Sequence, residues 1–371
     1  MRRRGALVLL GTLGVLGCEP AVERPVEAPR PFVMGVDLSY VNQILDHGGT
    51  YADSLGVRSP WAIFADHGAN AVRLRLWHDP SWVRSRAYED EGVPLYGGLE
   101  DVARAIRDAR EQGLQVNLDL HYSDVWADPD HQEVPAAWRN IASLTVLEDS
   151  VYLYTRGVLE TLAARGLLPE MVQIGNETNC GILSTAPGPH FPDVSTCRGR
   201  WQAQGRVLNA GIRAVRDVSP EVRVILHVAQ PENVASWFDT LTTRGGVTDF
   251  DILGFSYYAR WSAEPLASIA GHVAAWRDRW GKAVMVMETA YPWTLENADG
   301  YGNILGAEGL EEGYPATVQG QRAYLTELVR QVVDGGGTGL FYWEPAWITS
   351  SMRDLWAVSY THLTLPTNRE V

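Results

Sequence analysis

Apolar residues along this chain fall into short runs of strand length that alternate with longer stretches of helical periodicity. A short alternating or continuous apolar run predicts a buried strand, whereas apolar positions three and four apart predict an amphipathic helix. Segments with the strand pattern are residues 32–37, 71–77, 115–121, 171–177, 222–227, 251–256, 283–288 and 339–343. Helical segments lie between them, at residues 59–67, 99–112, 148–165, 200–218, 232–243, 265–280 and 317–334.

This alternation indicates an α/β protein with a parallel sheet and crossover helices. Eight strands are the number that closes a (β/α)8 TIM barrel, and a chain of 371 residues can form such a barrel as a single domain. An open, doubly wound sheet is the alternative, but no glycine fingerprint for a dinucleotide follows the first strand. We therefore predict a single (β/α)8 barrel, the catalytic domain, over residues 32–356.

The N-terminus has the pattern of a targeting segment. Arg2, Arg3 and Arg4 precede an apolar run, and the segment 15–18, Val-Leu-Gly-Cys, is typical of a bacterial lipobox. We expect residues 1–18 to be a lipoprotein signal peptide with Cys18 as the lipidated residue, followed at 19–31 by a proline-rich tether. A plain secretory signal is the alternative. Both interpretations predict export, and Glu19 after Cys18 favours the outer membrane or cell surface.

The net charge limits the kinds of partner that the protein can bind, and the cysteines suggest a covalent link. The net charge of −14 argues against nucleic acid as a partner, because phosphate binding needs a concentrated basic surface. Export to an oxidising compartment would allow Cys180 and Cys197 to form a disulfide, and two free thiols are the alternative. We expect a monomer.

Polar residues collect at the carboxyl ends of the predicted strands, where TIM-barrel active sites form. Strand four ends in Asn176 and Glu177, and strand seven ends in Glu288. Buried polar groups are costly unless they pair with each other or with a ligand, so their number at one end indicates a site. The converging residues are Asp37, Arg73, His121, Asn176, Glu177, Tyr257, Glu288 and Trp343.

Two carboxylates accompanied by aromatic rings favour glycoside hydrolysis, in which one carboxyl protonates the leaving oxygen and the other attacks the sugar or activates water. Strands four and seven face each other across an eight-stranded barrel, which favours a retaining mechanism. Aromatic rings offer flat apolar faces to a pyranose. Those near the strand ends are Trp77, Trp126, Tyr257, Tyr258, Trp261, Trp293, Trp343 and Trp347.

Several motifs give the chain a specific family resemblance. In order, they are Gly-Val-Asp-Leu-Ser at 35–39, Val-Arg-Leu-Arg-Leu-Trp at 72–77, Asp-Leu-His-Tyr-Ser-Asp-Val-Trp-Ala-Asp-Pro at 119–129, Gln-Ile-Gly-Asn-Glu at 173–177, Gly-Phe-Ser-Tyr-Tyr at 254–258, Glu-Thr at 288–289 and Tyr-Trp-Glu-Pro-Ala-Trp at 342–347. The chain resembles glycoside hydrolase family 53, the arabinogalactan endo-β-1,4-galactanases, over residues 34 to 348.

The resemblance implies roles for individual residues. Glu177 would be the acid/base and Glu288 the nucleophile, Asn176 would bond the sugar 2-hydroxyl, and Arg73 would hold the nucleophile ionised. Further expected substrate-binding residues are Asp37, His121, Trp126, Tyr257, Trp293 and Trp343.

Structural alternatives stay open for several of these residues. Each glutamate could be a structural salt-bridge partner, His121 a satisfied core histidine, and Trp343 part of the packing at the rim. Arg75 fits a structural role better than a catalytic one, since one arginine suffices to orient the nucleophile.

Two expectations concern the end of the chain and a metal. Residues 296–303 carry oxygen side chains around glycines, which suits a structural calcium ion with Asp299 and Asn303 as ligands; an acidic solvated turn is the alternative. The chemistry itself requires no cofactor. Family members continue beyond the eighth strand to a closing helix, whereas residues 357–371 lack a helical period. We expect this tail to be non-native and the barrel to be truncated at its last helix.

The expected function is retaining endo-hydrolysis of β-1,4-galactan, as in type I arabinogalactan and pectin side chains. One rival is a lipoprotein that binds glycan without cutting it, although such a protein has no reason to keep both glutamates. Another rival is a different endo-β-glycanase of the same clan, such as a mannanase.

Overall fold

The computed structural model describes residues 31–297 and 303–353. Its central feature is a closed barrel of eight parallel strands in which each strand pairs with the next along the chain and the last pairs with the first. We number these strands β1 (Val33–Asp37), β2 (Ala71–Leu76), β3 (Gln115–Leu120), β4 (Met171–Ile174), β5 (Arg223–Ala229), β6 (Ile252–Ser256), β7 (Ala283–Thr289) and β8 (Gly339–Tyr342). The predicted (β/α)8 barrel is confirmed.

Helices cover the outside of the barrel and connect its strands. They are α1 (Val41–Asp46), α2 (Pro60–Asp66), α3 (Leu99–Glu111), α4 (Leu144–Ala164), α5 (Trp201–Val218), α6 (Pro231–Thr240), α7 (Ile269–Trp280) and α8 (Val318–Asp334). Both α1 and α2 lie between β1 and β2, together with a hairpin of Ala52–Asp53 and Gly56–Val57. Within the described ranges, no helix is long and apolar enough to cross a membrane.

Short irregular helices complete the connections. Single 3-10 turns occur at Ala136–Trp138, Thr196–Arg198, Leu266–Ser268 and Ala307–Gly309, and π-helical turns at Val83–Tyr88 and Leu241–Gly245. The helix predicted over 265–280 is therefore divided into a 3-10 turn and α7, and the helix predicted over 232–243 ends at Thr240.

Two apolar layers hold the barrel together. The larger one lies between the strands and the helices, where apolar side chains of both meet. The smaller one fills the barrel interior with residues from several strands, among them Met171, Ile225, Met285 and Phe341. Gly35 has no side chain where a Cβ would stand 2.2 Å from the Phe341 ring, so glycine at this position admits the ring.

The strand predicted over 171–177 is shorter than expected and ends at Ile174. Gly175 follows with a φ of 85°, and Glu177 has a φ of 45°. Backbone with positive φ cannot continue a strand, and glycine adopts it without steric cost. The Asn176 and Glu177 side chains are consequently presented by a tight turn beyond the strand, not by the strand itself.

Candidate active site

A cavity of about 510 Å³ lies at the carboxyl ends of the strands. Both glutamates line it, Glu177 from the turn after β4 and Glu288 from β7. The remaining lining residues are Tyr40, Trp126, Ala127, Asp128, Pro129, Asp130, His131, Asn176, Asn179, Ala229, Gln230, Asn233, Tyr258, Trp261, Ile304, Trp343, Trp347 and Met352.

A register shift in β7 brings Glu288 to the cavity. Phe255 of β6 pairs with Val286, but the next residue, Ser256, pairs with Glu288, so that Met287 is skipped. Met287 belongs to the interior core, and simple alternation would therefore turn the next residue outward. The extra residue of the bulge restores the inward direction for Glu288.

Arg73 of β2 is an almost fully buried cation that contacts several polar residues of the site. Its Nη1 lies 2.7 Å from Oε1 of Glu288 and donates to Asp37 at 2.9 Å. Its Nη2 donates to Asp119 and to Oδ1 of Asn176, both at 2.7 Å. One guanidinium thus fixes the positions of carboxylates and of the amide by directed, charge-assisted bonds.

The two glutamates have different surroundings. Besides the ion pair with Arg73, Glu288 accepts a hydrogen bond from Tyr258 at 3.0 Å on Oε2. Burial raises the pKa of Glu288 to about 7, and the Arg73 charge opposes the rise. Burial raises the pKa of Glu177 well above its usual range, and the charge of Glu288 adds to this rise. The hydrogen bond from Ser256 lowers the pKa and so opposes both effects. Glu288 faces a cation and a tyrosine hydroxyl whereas Glu177 faces the Ser256 hydroxyl, so the contacts favour ionisation of Glu288.

Asn176 is held at both ends of its amide. Its Oδ1 accepts from Arg73, and its Nδ2 donates to the carbonyl of Ala127 at 2.8 Å. One amide hydrogen remains for a ligand in the cavity that Asn176 lines.

Asp37 and His121 lie behind the cavity and are not among its lining residues. Asp37 accepts from the Ser39 hydroxyl at 2.6 Å as well as from Arg73. His121 accepts the Ala127 amide hydrogen on Nδ1 at 3.0 Å, which leaves Nε2 to donate to Asp119, also at 3.0 Å. Both ring nitrogens of His121 thus have hydrogen-bond partners inside the protein, and the ring supports Asp119. This arrangement matches the alternative of a structural core histidine.

Aromatic side chains form one wall of the cavity. Trp126 and Trp343 both line it, with ring centroids 6.2 Å apart, and Trp347 lies 5.2 Å from Trp343. Trp261 lines it with nearly half of its surface exposed. Trp293 is not among the lining residues.

Tyr257 does not reach the cavity, contrary to expectation, and Tyr258 takes the expected place. Tyr257 is fully buried, and its hydroxyl donates to the carbonyl of Glu264 at 3.1 Å. Alternation accounts for the exchange: Ser256 faces inward, so Tyr257 faces outward and Tyr258 inward again. The spacing from Ser256 was the available sequence signal.

Arg75 supports the aromatic wall from behind. Its guanidinium lies 4.1 Å from the ring centroids of both Trp77 and Trp126 and 4.4 Å from that of Tyr40. It also faces Glu344 at 3.7 Å. A cation stacked between rings orients them, which agrees with the structural role expected for Arg75.

Other buried polar residues beneath the site were missed as functional candidates: Gln173, His227 and Ser256. His227 and Ser256 end predicted strands, and Gln173 lies in the motif before Glu177. Their signal was the same as that of the residues chosen, polar side chains on the inward face of a strand.

A disulfide joins Cys180 and Cys197 and closes the loop that follows Glu177. Cys180 also accepts the backbone amide of Thr196 at 3.0 Å. These links tie the loop to the turn that carries the glutamate.

The proposed calcium ligands are only partly within the described residues. Asp299 lies outside them. The Asn303 amide donates to the Glu296 carbonyl at 3.1 Å, and the part of the chain that the structure describes holds no group of three or more His, Cys, Asp or Glu residues suited to a metal. Calcium at this loop remains a prediction.

Comparison with known proteins gives relatives over nearly the whole chain. The chain is 40% identical to an arabinogalactan endo-beta-1,4-galactanase of Cellvibrio japonicus, over 88% of this chain and 83% of that protein. It is 34% identical to an endo-beta-1,4-galactanase of Bacillus subtilis, over 86% and 71% respectively. Its structure superposes on the GH53 catalytic domain of Ignisphaera aggregans with a TM-score of 0.77 and 32% identity, covering 92% of this chain and 96% of that one.

The sequence profile described as glycosyl hydrolase family 53 matches residues 33–364. This range includes the turn of Asn176 and Glu177, the carboxylate of Glu288 and the arginine between them. The resemblance inferred from the motifs is confirmed, and the chain belongs to glycosyl hydrolase family 53.

Proposed function

We propose that this protein cleaves β-1,4-galactan internally, with retention of configuration, by a double displacement that uses two glutamates. The observation that carries the proposal is the unequal environment of the two carboxyls in one cavity. Glu288 lies against the Arg73 cation and Tyr258, whereas Glu177 has the Ser256 hydroxyl as its partner. Titratable groups whose pKa values are pushed apart are suited to opposite roles.

In the first step, the ionised carboxylate of Glu288 attacks the anomeric carbon while Glu177 donates its proton to the departing glycosidic oxygen. The bond between the sugar and the leaving chain breaks, and a galactosyl ester of Glu288 forms. Asn176 would donate its remaining amide hydrogen to the sugar 2-hydroxyl. Arg73 stabilises the ionised Glu288 before attack.

In the second step, the ionised Glu177 removes a proton from water, whose oxygen attacks the anomeric carbon and releases Glu288. The anomeric carbon is attacked twice, from opposite faces, and the two inversions together retain the configuration. The rings of Trp126 and Trp343 supply flat apolar surfaces beside this centre.

Galactan as the substrate is supported by two relatives, both named as endo-β-1,4-galactanases. A substrate panel tests it: we expect new reducing ends from galactan and far fewer from mannan or β-glucan. Binding of galactan without release of reducing ends would instead identify a glycan-binding protein.

Substitution of the glutamates tests the mechanism. Glu177→Gln and Glu288→Gln should each lower kcat on galactan by about 10²–10⁴-fold, since each removes a carboxyl that acts in both steps. Glu100→Gln is the matched control, because Glu100 is an exposed carboxylate paired with Arg165 on the outer surface. Wild-type rates in Glu288→Gln would contradict the proposal.

We also propose that the chain is exported and anchored through Cys18, which lies outside the described residues, and that it acts as a monomer. Cys18→Ser should release the protein from the membrane fraction of its host, whereas unchanged membrane association would exclude the anchor.

A further inference from the structure

A chain of buried polar side chains runs from Glu177 into the barrel. The Ser256 hydroxyl lies 2.5 Å from Oε1 of Glu177, and Nε2 of His227 lies 2.9 Å from the same hydroxyl oxygen. On the other side of the ring, Nδ1 of His227 faces Nε2 of Gln173 at 3.1 Å. Ser256, His227 and Gln173 are fully buried and are not among the residues that line the cavity.

The direction of these hydrogen bonds follows from the number of hydrogens available. A serine hydroxyl has one hydrogen, so Ser256 can donate to Glu177 or to His227 but not to both. If it donates to Glu177, its oxygen accepts from His227, and the ring must then carry its hydrogen on Nε2. Ionised Glu177 has only acceptors to offer and is compatible with this arrangement alone.

Contacts at Nδ1 decide whether His227 can take that form. As an acceptor, Nδ1 can receive a hydrogen from Gln173 Nε2 at 3.1 Å and from the backbone amide of Glu177 at 3.4 Å. Oδ1 of Asn176 lies 2.9 Å from Nδ1 and favours the opposite tautomer. That oxygen, however, already accepts from Arg73 at 2.7 Å, so it has a charged donor without the histidine.

The two tautomers have different consequences for Glu177. With the ring hydrogen on Nδ1, Ser256 must donate to His227, and Glu177 must then hold its proton on Oε1, turned toward the serine. With the ring hydrogen on Nε2, Oε1 is occupied as an acceptor, and the proton must reside on Oε2. Oε2 has no hydrogen-bond partner among the described residues, and Glu177 lines the cavity.

We propose that Ser256 and His227 are positioning residues that keep Oε1 of Glu177 as a hydrogen-bond acceptor and so place the transferable proton on Oε2. This inference rests on the acid/base role of Glu177 in the proposed function. Because the same direction of hydrogen bonds serves the protonated and the ionised carboxyl, Glu177 can give up its proton and regain it without any rearrangement of the buried residues.

The charges around the chain keep the imidazole neutral, which the proposal requires. Burial lowers the pKa of His227 well below its usual value; the Arg73 cation adds to this, Asp119 opposes it, and His121 adds a further small effect. Around Glu177, the charged neighbours are Glu288, Asp128 and Arg73. A neutral ring carries one hydrogen and must choose between the two nitrogens.

The ring tautomer can be measured directly in the full-length protein labelled with ¹⁵N-histidine. We expect His227 to show a protonated Nε2 and an unprotonated Nδ1, with its signals assigned from their disappearance in His227→Gln. A protonated Nδ1 would overturn the proposal. This measurement needs no activity, so it separates failure of the positioning role from failure of the proposed function.

Ser256→Ala provides the second test. Loss of the donor should raise the pKa of Glu177, which carboxyl ¹³C NMR can measure. The basic limb of the pH profile should move upward, and kcat should be about tenfold lower with KM nearly unchanged. Ser236→Ala, an exposed serine on α6, is the control. An unchanged Glu177 pKa in a folded Ser256→Ala protein would contradict the proposal.

His227 variants separate positioning from packing. Glutamine can place an amide N–H near the position of Nε2, so His227→Gln should recover most of the wild-type pH profile. His227→Phe keeps the Ser256 donor but leaves its oxygen without a hydrogen-bond donor, so it should lower kcat and shift the pH profile in the same direction as Ser256→Ala, by less. Equal pH profiles and equal kcat in the two histidine variants would contradict a role for the hydrogen bond.

Discussion

Nη1 of Arg73 lies 2.7 Å from Oε1 of Glu288, and the arginine reaches this carboxylate from β2 across the barrel interior. The same side chain holds Asn176 through Nη2. The proposed nucleophile and the amide proposed to bind the sugar 2-hydroxyl are therefore positioned by one buried cation. The energetic cost of burying Arg73 is offset by the carboxylates it contacts.

Removal of that cation should affect stability and activity together. Arg73→Met leaves buried carboxylates without a partner, and we expect the free energy of unfolding to fall by about 3–5 kcal/mol. Urea denaturation measures the change. Arg165→Met is the control, because Arg165 forms an exposed ion pair with Glu100 and should change stability by less than about 1 kcal/mol. Equal losses in the two variants would show that burial is not the cause.

The neighbouring tyrosines allow a matched test of the site. Tyr258→Phe removes the donor to Oε2 of Glu288, a bond that lowers the carboxyl pKa, so the acidic limb of the pH profile should move upward by about one pH unit. Tyr257→Phe removes only the bond to Glu264 and should leave that limb in place. Equal shifts in both variants would contradict the placement of Tyr258 at Glu288.

The pH dependence of the wild-type enzyme follows from the two glutamates. Glu288 must be ionised to attack, and its pKa is raised to about 7 by burial. On galactan, kcat/KM should therefore rise with pH through about 7, where half of the Glu288 carboxyls are ionised. It should fall again only at higher pH, where Glu177 loses its proton. A profile already at its plateau at pH 5 would contradict a raised pKa of Glu288.

Much of this arrangement could be predicted from periodicity, and particular residues show where prediction stopped. Strand and helix patterns predicted the barrel because its strands are buried on both sides and its helices on one. The exit of the chain at Gly175 was not predicted, because the local apolar pattern carries no sign of its positive φ or of the close packing of Ile182 and Thr178 against it. The bulge at Met287 likewise depends on pairing with β6, which no local pattern records.

Site residues divide in the same way. Arg73, Asn176 and both glutamates come together as predicted from the strand ends. The prediction of Tyr257 in place of Tyr258 was wrong because residue type does not distinguish two neighbouring tyrosines. Alternation from Ser256 does distinguish them. The links among Gln173, His227 and Ser256 needed three-dimensional distances, since these residues come from three different strands.

The turn at Gly175 provides a backbone test. A Cβ at this residue would stand 2.3 Å from Ile182 and 2.7 Å from Thr178, at a φ of 85°. Gly175→Ala should therefore lower stability by more than the 1–2 kcal/mol or so typical of a left-handed backbone, and should lower kcat by displacing Glu177. Gly113 has a similar φ, 75°, but no atom lies within 4 Å of the position of an added Cβ. Gly113→Ala should therefore lose only the stability that the left-handed backbone costs. Thermal denaturation compares the two, and an equal loss would exclude the steric contact.

The covalent step is tested most directly by trapping the intermediate. A 2-fluoro galactobiosyl fluoride should react with the enzyme, form a glycosyl ester that hydrolyses slowly, and label one peptide in mass spectrometry. We predict that the label is on Glu288 and that Glu288→Gln is not labelled. A label on a different residue, or release of the inverted anomer from galactan with no labelled peptide, would contradict a double displacement through Glu288.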